Sequence, residues 1–182
     1  MISFIVKASL SRGIDPPQFK QAIVTPLLRK PGFDSNDMKN FRPVSNLSFI
    51  SNILEKVVLI QLKKRLSGNN LLDIFQSAYK QNHSTETAVL SVLDGLLCSA
   101  DERLVSLVTL FDLSAIFDTL DRSILLKRLE TTYGVRGTVL DWFVSNLSGR
   151  SRSVIVGGAV SASRPLAYGV PQGSVLGPVL FT

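Results

Sequence analysis

Residues 104–121 read LVSLVTLFDLSAIFDTLD, and the fold turns on this stretch. The run at 104–111 is apolar except for Ser106 and Thr109. Such near-continuous apolar character predicts a strand covered on both faces. The run ends directly in Asp112, with Asp118 and Asp121 close behind. A carboxylate at the end of a buried strand suits a hard cation such as Mg2+, which takes oxygen ligands. The competing reading has Asp112 capping a turn and the other two aspartates starting the next helix, where acidic residues are common.

Downstream, helical spacing predicts helices near 123–132 and 138–148, with Gly134 and Gly149 where helices stop. Residues 151–156 and 159–164 flank Gly157 and Gly158, a two-residue hairpin signal. The chain continues into YGVPQGSVLGPVLFT at 168–182, a Gly- and Pro-rich loop leading into an apolar run and a helix. Glycines bracket Gln172 there. They let the backbone approach a ligand closely, and a helix start favours phosphate. An ordinary loop-to-helix junction explains the same residues. The spacing fits neither the P-loop nor the dinucleotide fingerprint.

Upstream, residues 2–11 predict a short helix stopped by Gly13, not a signal peptide, because no basic segment precedes the apolar patch. Residues 19–28 are rich in β-branched side chains and predict an extended segment. Residues 30–40, KPGFDSNDMKN, predict a loop. Pro43 pushes Arg42 toward an extended backbone. Within NFRPVSNL at 40–47, Arg42 is suited to fork onto a phosphate, or to make a surface ion pair. Ile50, Ile53, Leu54, Val57, Val58, Leu62 and Leu66 recur at helical spacing, and Gly68 ends that helix. A further helix over 85–100 has Ser84 as N-cap and Val89, Val92, Leu93, Leu96 and Leu97 as its expected buried stripe. Alternating helices and strands, with no repeat or low-complexity tract, point to an α+β or α/β architecture.

Composition narrows the function. Of 182 residues, 45% are hydrophobic, enough for a core and against wholesale disorder. Cys98 is the only cysteine, which rules out an internal disulfide and fits a reducing, intracellular compartment. With His83 the only histidine, nitrogen and sulfur ligands for zinc are too few. No apolar stretch approaches the roughly 20 residues of a membrane span. The net charge of +6 is uneven: residues 1–80 hold 12 Lys/Arg against 5 Asp/Glu, and residues 81–182 hold 8 against 9. That asymmetry fits a lobe facing a polyanion, or simply a basic solvated surface.

Six blocks in one order carry a sharper signal: FKQAIVTPLLRKPGF (19–33), NFRPVSNL (40–47), FQSAYKQNHSTETA (75–88), FDLSAIFDTLD (111–121), LDWFVSNLSGR (140–150) and YGVPQGSVLGPVLF (168–181). Together they resemble the reverse transcriptases of non-LTR (LINE-type) retrotransposons, over essentially the whole chain. The resemblance implies an α+β, right-hand polymerase fold, with helices on a small antiparallel sheet. Residues 1–100 would form a basic fingers-like lobe and 101–182 part of a palm. The implied partners are an RNA template, a DNA primer and a deoxynucleoside triphosphate, with no membrane; oligomeric state and address stay open.

In such enzymes two Mg2+ ions drive nucleotidyl transfer, activating the primer 3′-hydroxyl and stabilising the pentacovalent phosphate. The resemblance makes Asp112 the first metal-binding aspartate and adds the backbone carbonyl of Leu113. Phe117 matches the aromatic that packs under the incoming sugar and excludes a 2′-hydroxyl; core packing is its other role. Gln172 and Gly173 match a loop lining the nucleotide pocket and touching template. Lys30 and Arg42 match basic residues that clamp the triphosphate. His83 reads as a helix-start residue. Three positions depart from the family's wording: Ile116 replaces a small Ala, Arg122 a His and Ala78 a Gly.

The family's next block, an aromatic-Ala-Asp-Asp hairpin with the other metal-binding carboxylates, does not occur in these 182 residues. The expectation is a front segment of the enzyme that does not polymerise alone. The alternatives are a non-catalytic nucleic-acid-binding remnant and a degenerate reading frame. The strand at 104–111 and the run at 175–181 are expected to lack their sheet partner, and the polypeptide to dissolve poorly.

Overall fold

The structure is a computed structural model that describes residues 1–111 and 116–181. The chain opens with α1 (Ile2–Arg12), stopped by Gly13 in the left-handed conformation. Strand β1 (Gln21–Leu28) then forms a hairpin with β2 (Phe41–Asn46). Next come α2 (Phe49–Gly68), α3 (Thr85–Asp101), the short α4 (Ile116–Thr119), α5 (Arg122–Thr131) and α6 (Thr138–Leu147). Three strands, β3 (Ser151–Val156), β4 (Ala159–Val160) and β5 (Arg164–Pro165), precede the short α7 (Gly177–Phe181).

The α+β expectation holds, and most predicted elements lie within a residue or two of their predicted bounds. The sheet order is β2-β1-β3-β4, with β5 also on β3. Most pairings are antiparallel, as expected. β1 and β3 are parallel, Gln21 opposite Ser151 and Val24 opposite Val154, so the sheet is mixed. The connection between them runs through β2, five helices and the segments joining them, and a long crossover is what a parallel pair requires. Prolines fit because of their places. Pro43 lies on the edge strand, and Pro26 lies beyond the residues of β1 that pair with β3.

One core joins the first helices to the last. Leu54, Val58, Leu62 and Leu66 of α2 meet Leu125, Leu129, Trp142, Phe143 and Leu147 of α5 and α6, and Leu176 and Leu180 near α7. Each buried leucine or aromatic of this kind stabilises the fold by about 1.5–3 kcal/mol. The Trp142 ring stands edge-on to Phe143, and its indole nitrogen donates to Ser9 Oγ of α1 at 3.0 Å.

Three expectations need correction. Residues 104–111 form no strand and pair with no strand among the described residues; Leu107 and Phe111 are 92% and 86% exposed. Apolar, β-branched composition favours a strand only when another strand supplies its hydrogen bonds. Helix α3 forms with its Ser84 cap, but Val89, Val92, Leu93 and Leu97 are exposed and not buried. Amphipathic spacing encodes a stripe, not the surface that covers it. The run at 175–181 enters α7, the helix expected after the loop, so it lacks no sheet partner. Ser174 Oγ accepts from the Leu176 and Gly177 amides at its start.

Candidate active site

The loop at 168–173 is tied to three elements from distant parts of the chain. At its start the Gly169 amide donates to the Leu120 carbonyl at 2.9 Å, and the Val170 amide to the Phe117 carbonyl at 2.8 Å. Arg122 of α5 donates through Nε to the Gly169 carbonyl at 2.9 Å and through a terminal nitrogen to Tyr168 at 3.2 Å. Burial, with Arg150 as a lesser cause, lowers the proton affinity of this guanidinium. Gly169 has φ +71°, and a Cβ there would strike the Phe117 carbonyl and the Asp118 backbone.

Farther on, the Gln172 carbonyl accepts from the Ser45 amide of β2 at 2.7 Å. Gly173 has φ +121°, and a Cβ there would lie 2.5 Å from the Ser45 carbonyl oxygen. Beyond it, Glu55 of α2 accepts from Ser174 Oγ at 2.7 Å and from the Val175 and Leu176 amides at 2.8 and 3.3 Å. Pro43, Ser45, Asp118, Arg152 and Gln172 line a small cleft of about 10 Å³ under the loop, with room for about one water. Arg152 and Asp118 stand 3.8 Å apart at its edge, both half-exposed. Water weakens such a pair to at most about 1 kcal/mol.

The structure thus ties the Phe117 backbone to the loop that carries Gln172 and Gly173. Phe117 is half-buried, its ring 6.2 Å from that of Phe181 and packed on the core. Arg42 is exposed on β2, opposite Leu27. Strand alternation starts its side chain from the face opposite Pro43 and Ser45. Lys30 is exposed in the turn beyond β1, roughly 20 Å along the hairpin from Val24 at about 3.3 Å per residue. The structure does not bring it to the cleft. Asp112 and Leu113 lie outside the described residues. Asp121 caps α5, accepting from the Ser123 and Ile124 amides. Bonds from Ser123 and these amides hold its carboxyl below the usual range. For this aspartate the helix-start reading is the one observed. Among the described residues no three His, Cys, Asp or Glu side chains come together as a metal site.

Sequence reading missed Glu55, Arg150 and Asp15, all buried. Arg150 donates through Nε to the Asn146 carbonyl at 2.6 Å and through a terminal nitrogen to Glu55 Oε1 at 3.2 Å; Asp15 lies 4.0 Å away. Burial pushes the Asp15 carboxyl up, against the pull of Arg150, Lys20 and Asn146. The signal for Glu55 was present. It falls between Leu54 and Val58 on the buried face of α2, where a charge needs a partner.

Residues 28–182 match the family model described as reverse transcriptase (RNA-dependent DNA polymerase). Full-length comparison finds 28% identity over 100% of the chain to a probable RNA-directed DNA polymerase from transposon BS of Drosophila melanogaster. Identity is 26% over 99% of the chain to the probable RNA-directed DNA polymerase from transposon X-element, and 26% over 100% to that of mobile element jockey, both of the same species. The chain spans about a fifth of the length of these curated relatives. The ordered motif blocks, the loop they assemble around and this match across most of the chain agree: the protein belongs to the reverse transcriptase (RNA-dependent DNA polymerase) family.

Proposed function

We propose that the chain provides the fingers and part of the palm of an RNA-directed DNA polymerase of the non-LTR retrotransposon kind. Residues 1–100 are the fingers-like lobe and 101–182 the partial palm. The observation that carries this reading is the loop at 168–173, bonded at once to Phe117 and to Ser45 three residues past Arg42. Three of the sequence blocks therefore meet at one cleft.

In this reading Gln172 and Gly173 line the nucleotide pocket, and Phe117 underlies the sugar of a deoxynucleoside triphosphate. Arg42 and Lys30 lie on the outer hairpin away from that cleft, so in this reading they attract the triphosphate at a distance and do not clamp it. An RNA template and a DNA primer are the macromolecular partners, met by the basic first half. The family's chemistry calls for a divalent metal, proposed here as Mg2+. The Asp112 carboxylate and the Leu113 carbonyl are the hard oxygen donors assigned to it. Among the described residues no helix is long and apolar enough to cross a membrane.

The test is binding of a labelled RNA-template/DNA-primer duplex across a salt series. Affinity should fall steeply as salt rises, because phosphate contacts release counterions. Arg42→Ala should leave the duplex slope unchanged and should weaken, and make less salt-dependent, the binding of a deoxynucleoside triphosphate. Flat or absent binding at low salt would sink the reading. Primer extension by this polypeptide, if seen, would overturn the expectation that it does not polymerise alone.

A further inference from the structure

We propose that Glu55 is a positioning residue, whose buried carboxylate sets Gln172 and Gly173 against β2 and so governs how that loop meets template–primer. The ligand rests on the polymerase reading above; the anchoring rests on geometry alone.

Glu55 is 1% exposed, so it acts only through its neighbours. Its two carboxylate oxygens collect four donors. Oε2 takes Ser174 Oγ and the Val175 and Leu176 amides, and Oε1 takes Arg150. An ionised carboxylate has acceptor sites on both oxygens for such a set. An amide presents one acceptor oxygen and turns an NH2 group toward donors.

The chain path makes the anchor directional. Helix α2 starts at Phe49, just after β2 ends at Asn46. One continuous stretch therefore holds the loop twice, with Ser45 at Gln172 and Glu55 at Ser174. Arg150 links the same carboxylate to the end of α6 through the Asn146 carbonyl. Helix α6 also carries Trp142 and Phe143 in the core. The loop is thereby fixed to the most buried part of the molecule. Charged hydrogen bonds in such surroundings are strong, and losing one partner leaves the others unpaired.

The experiment compares wild type, Glu55→Gln and the milder Ser174→Ala as the full 182-residue chain. Amide hydrogen exchange is the first readout. Glu55→Gln should speed exchange at Ser45, Val175 and Leu176 by about tenfold or more, while α6 amides keep their protection. Ser174→Ala should speed the same amides by a smaller factor. Template–primer affinity is the second readout. Glu55→Gln should weaken it in the wild-type background and add nothing in a Gln172→Ala background, as coupled residues do. Unchanged exchange at Val175 and Leu176 in both variants, equal acceleration in α6, or additive losses of affinity would each overturn the proposal. A wild-type chain without affinity for the duplex would overturn the polymerase reading, and the exchange arm would still judge the anchor.

Discussion

The Ser45 amide donates to the Gln172 carbonyl across 2.7 Å, tying the edge strand of the sheet to the loop over the cleft. The contact is backbone to backbone, so its strength depends on how closely two chain segments approach and not on either side chain. Gly173 is what allows that approach, since its missing Cβ leaves room for the Ser45 carbonyl.

Gly173→Ala should therefore destabilise the protein and displace the loop. The added methyl meets a backbone oxygen at 2.5 Å, and φ +121° is strained for alanine. Backbone strain of this kind costs about 1–3 kcal/mol. Gly32→Ala is the control, because Gly32 also has positive φ but nothing within 4 Å of an added Cβ. Denaturant unfolding should show a larger loss for Gly173→Ala. Equal losses would mean the loop absorbs the methyl freely.

Arg122→Ala should loosen the other end of the loop. The guanidinium donates to the carbonyls of Gly169 and Tyr168. A hydrogen bond to a charged group contributes about 1.5–3 kcal/mol. A loss in that range is expected in thermal or denaturant unfolding. Arg122→Lys should recover little of it, because an ammonium lacks the planar fork. Full recovery by lysine would refute the geometry.

Asp15 should make the protein less stable as pH rises from acid toward neutral. Its folded pKa lies above the ordinary 3.8, mainly because burial disfavours the charge. The folded state therefore holds the proton more tightly than the unfolded state. The stability this contributes is full below about 3.8 and is lost as pH climbs through the folded pKa. Asp15→Asn should remove that decline, so its melting temperature relative to wild type should rise between pH 4 and pH 7. Asp121 acts in the opposite sense: its depressed pKa gives stability present above 3.8 and lost on acidification. Parallel melting curves of the two proteins against pH would contradict the Asp15 assignment.

The exposed apolar side chains of α3 and of 104–111 should drive self-association. Leu90, Leu93, Leu97, Leu107 and Phe111 all face solvent, and apolar surface of this extent promotes aggregation. Size-exclusion chromatography should show a concentration-dependent shift to larger species. Replacing Leu93 and Leu97 together by lysine should reduce that shift without lowering the melting temperature. A sharp monomeric peak from the wild-type chain would count against this.

Sequence reading located the helices well because their signals are local. Ser84 capping α3 through the Thr87 amide, and Gly13 closing α1 onto the Leu10 and Ser9 carbonyls, use hydrogen bonds to residues a few positions away. The hairpin at Gly157 and Gly158 formed for the same reason. Residues 104–111 went the other way because a strand needs a partner that no local pattern supplies. The site was legible in part: Gln172, Gly173 and Phe117 were named as site residues, Ser45 and Arg122 were quoted without a role in the loop, and Glu55 was missed. Ser45 touches the loop through its backbone and Arg122 through a guanidinium on loop carbonyls, partners that no local pattern names, while the signal for Glu55 lay in its place on the buried face of α2.

Alone, the amino-acid order determined the helices, the segments that became β1 and β3, the basic first half and the block order that marks the family. Those features are carried by neighbours in the chain and by composition. Only the tertiary structure decided that β1 lies parallel to β3, that Glu55 receives the turn after Gly173, and that the stripe of α3 faces solvent. Each depends on groups far apart in the chain, where burial and hydrogen-bond pairing are settled by packing and not by local preference.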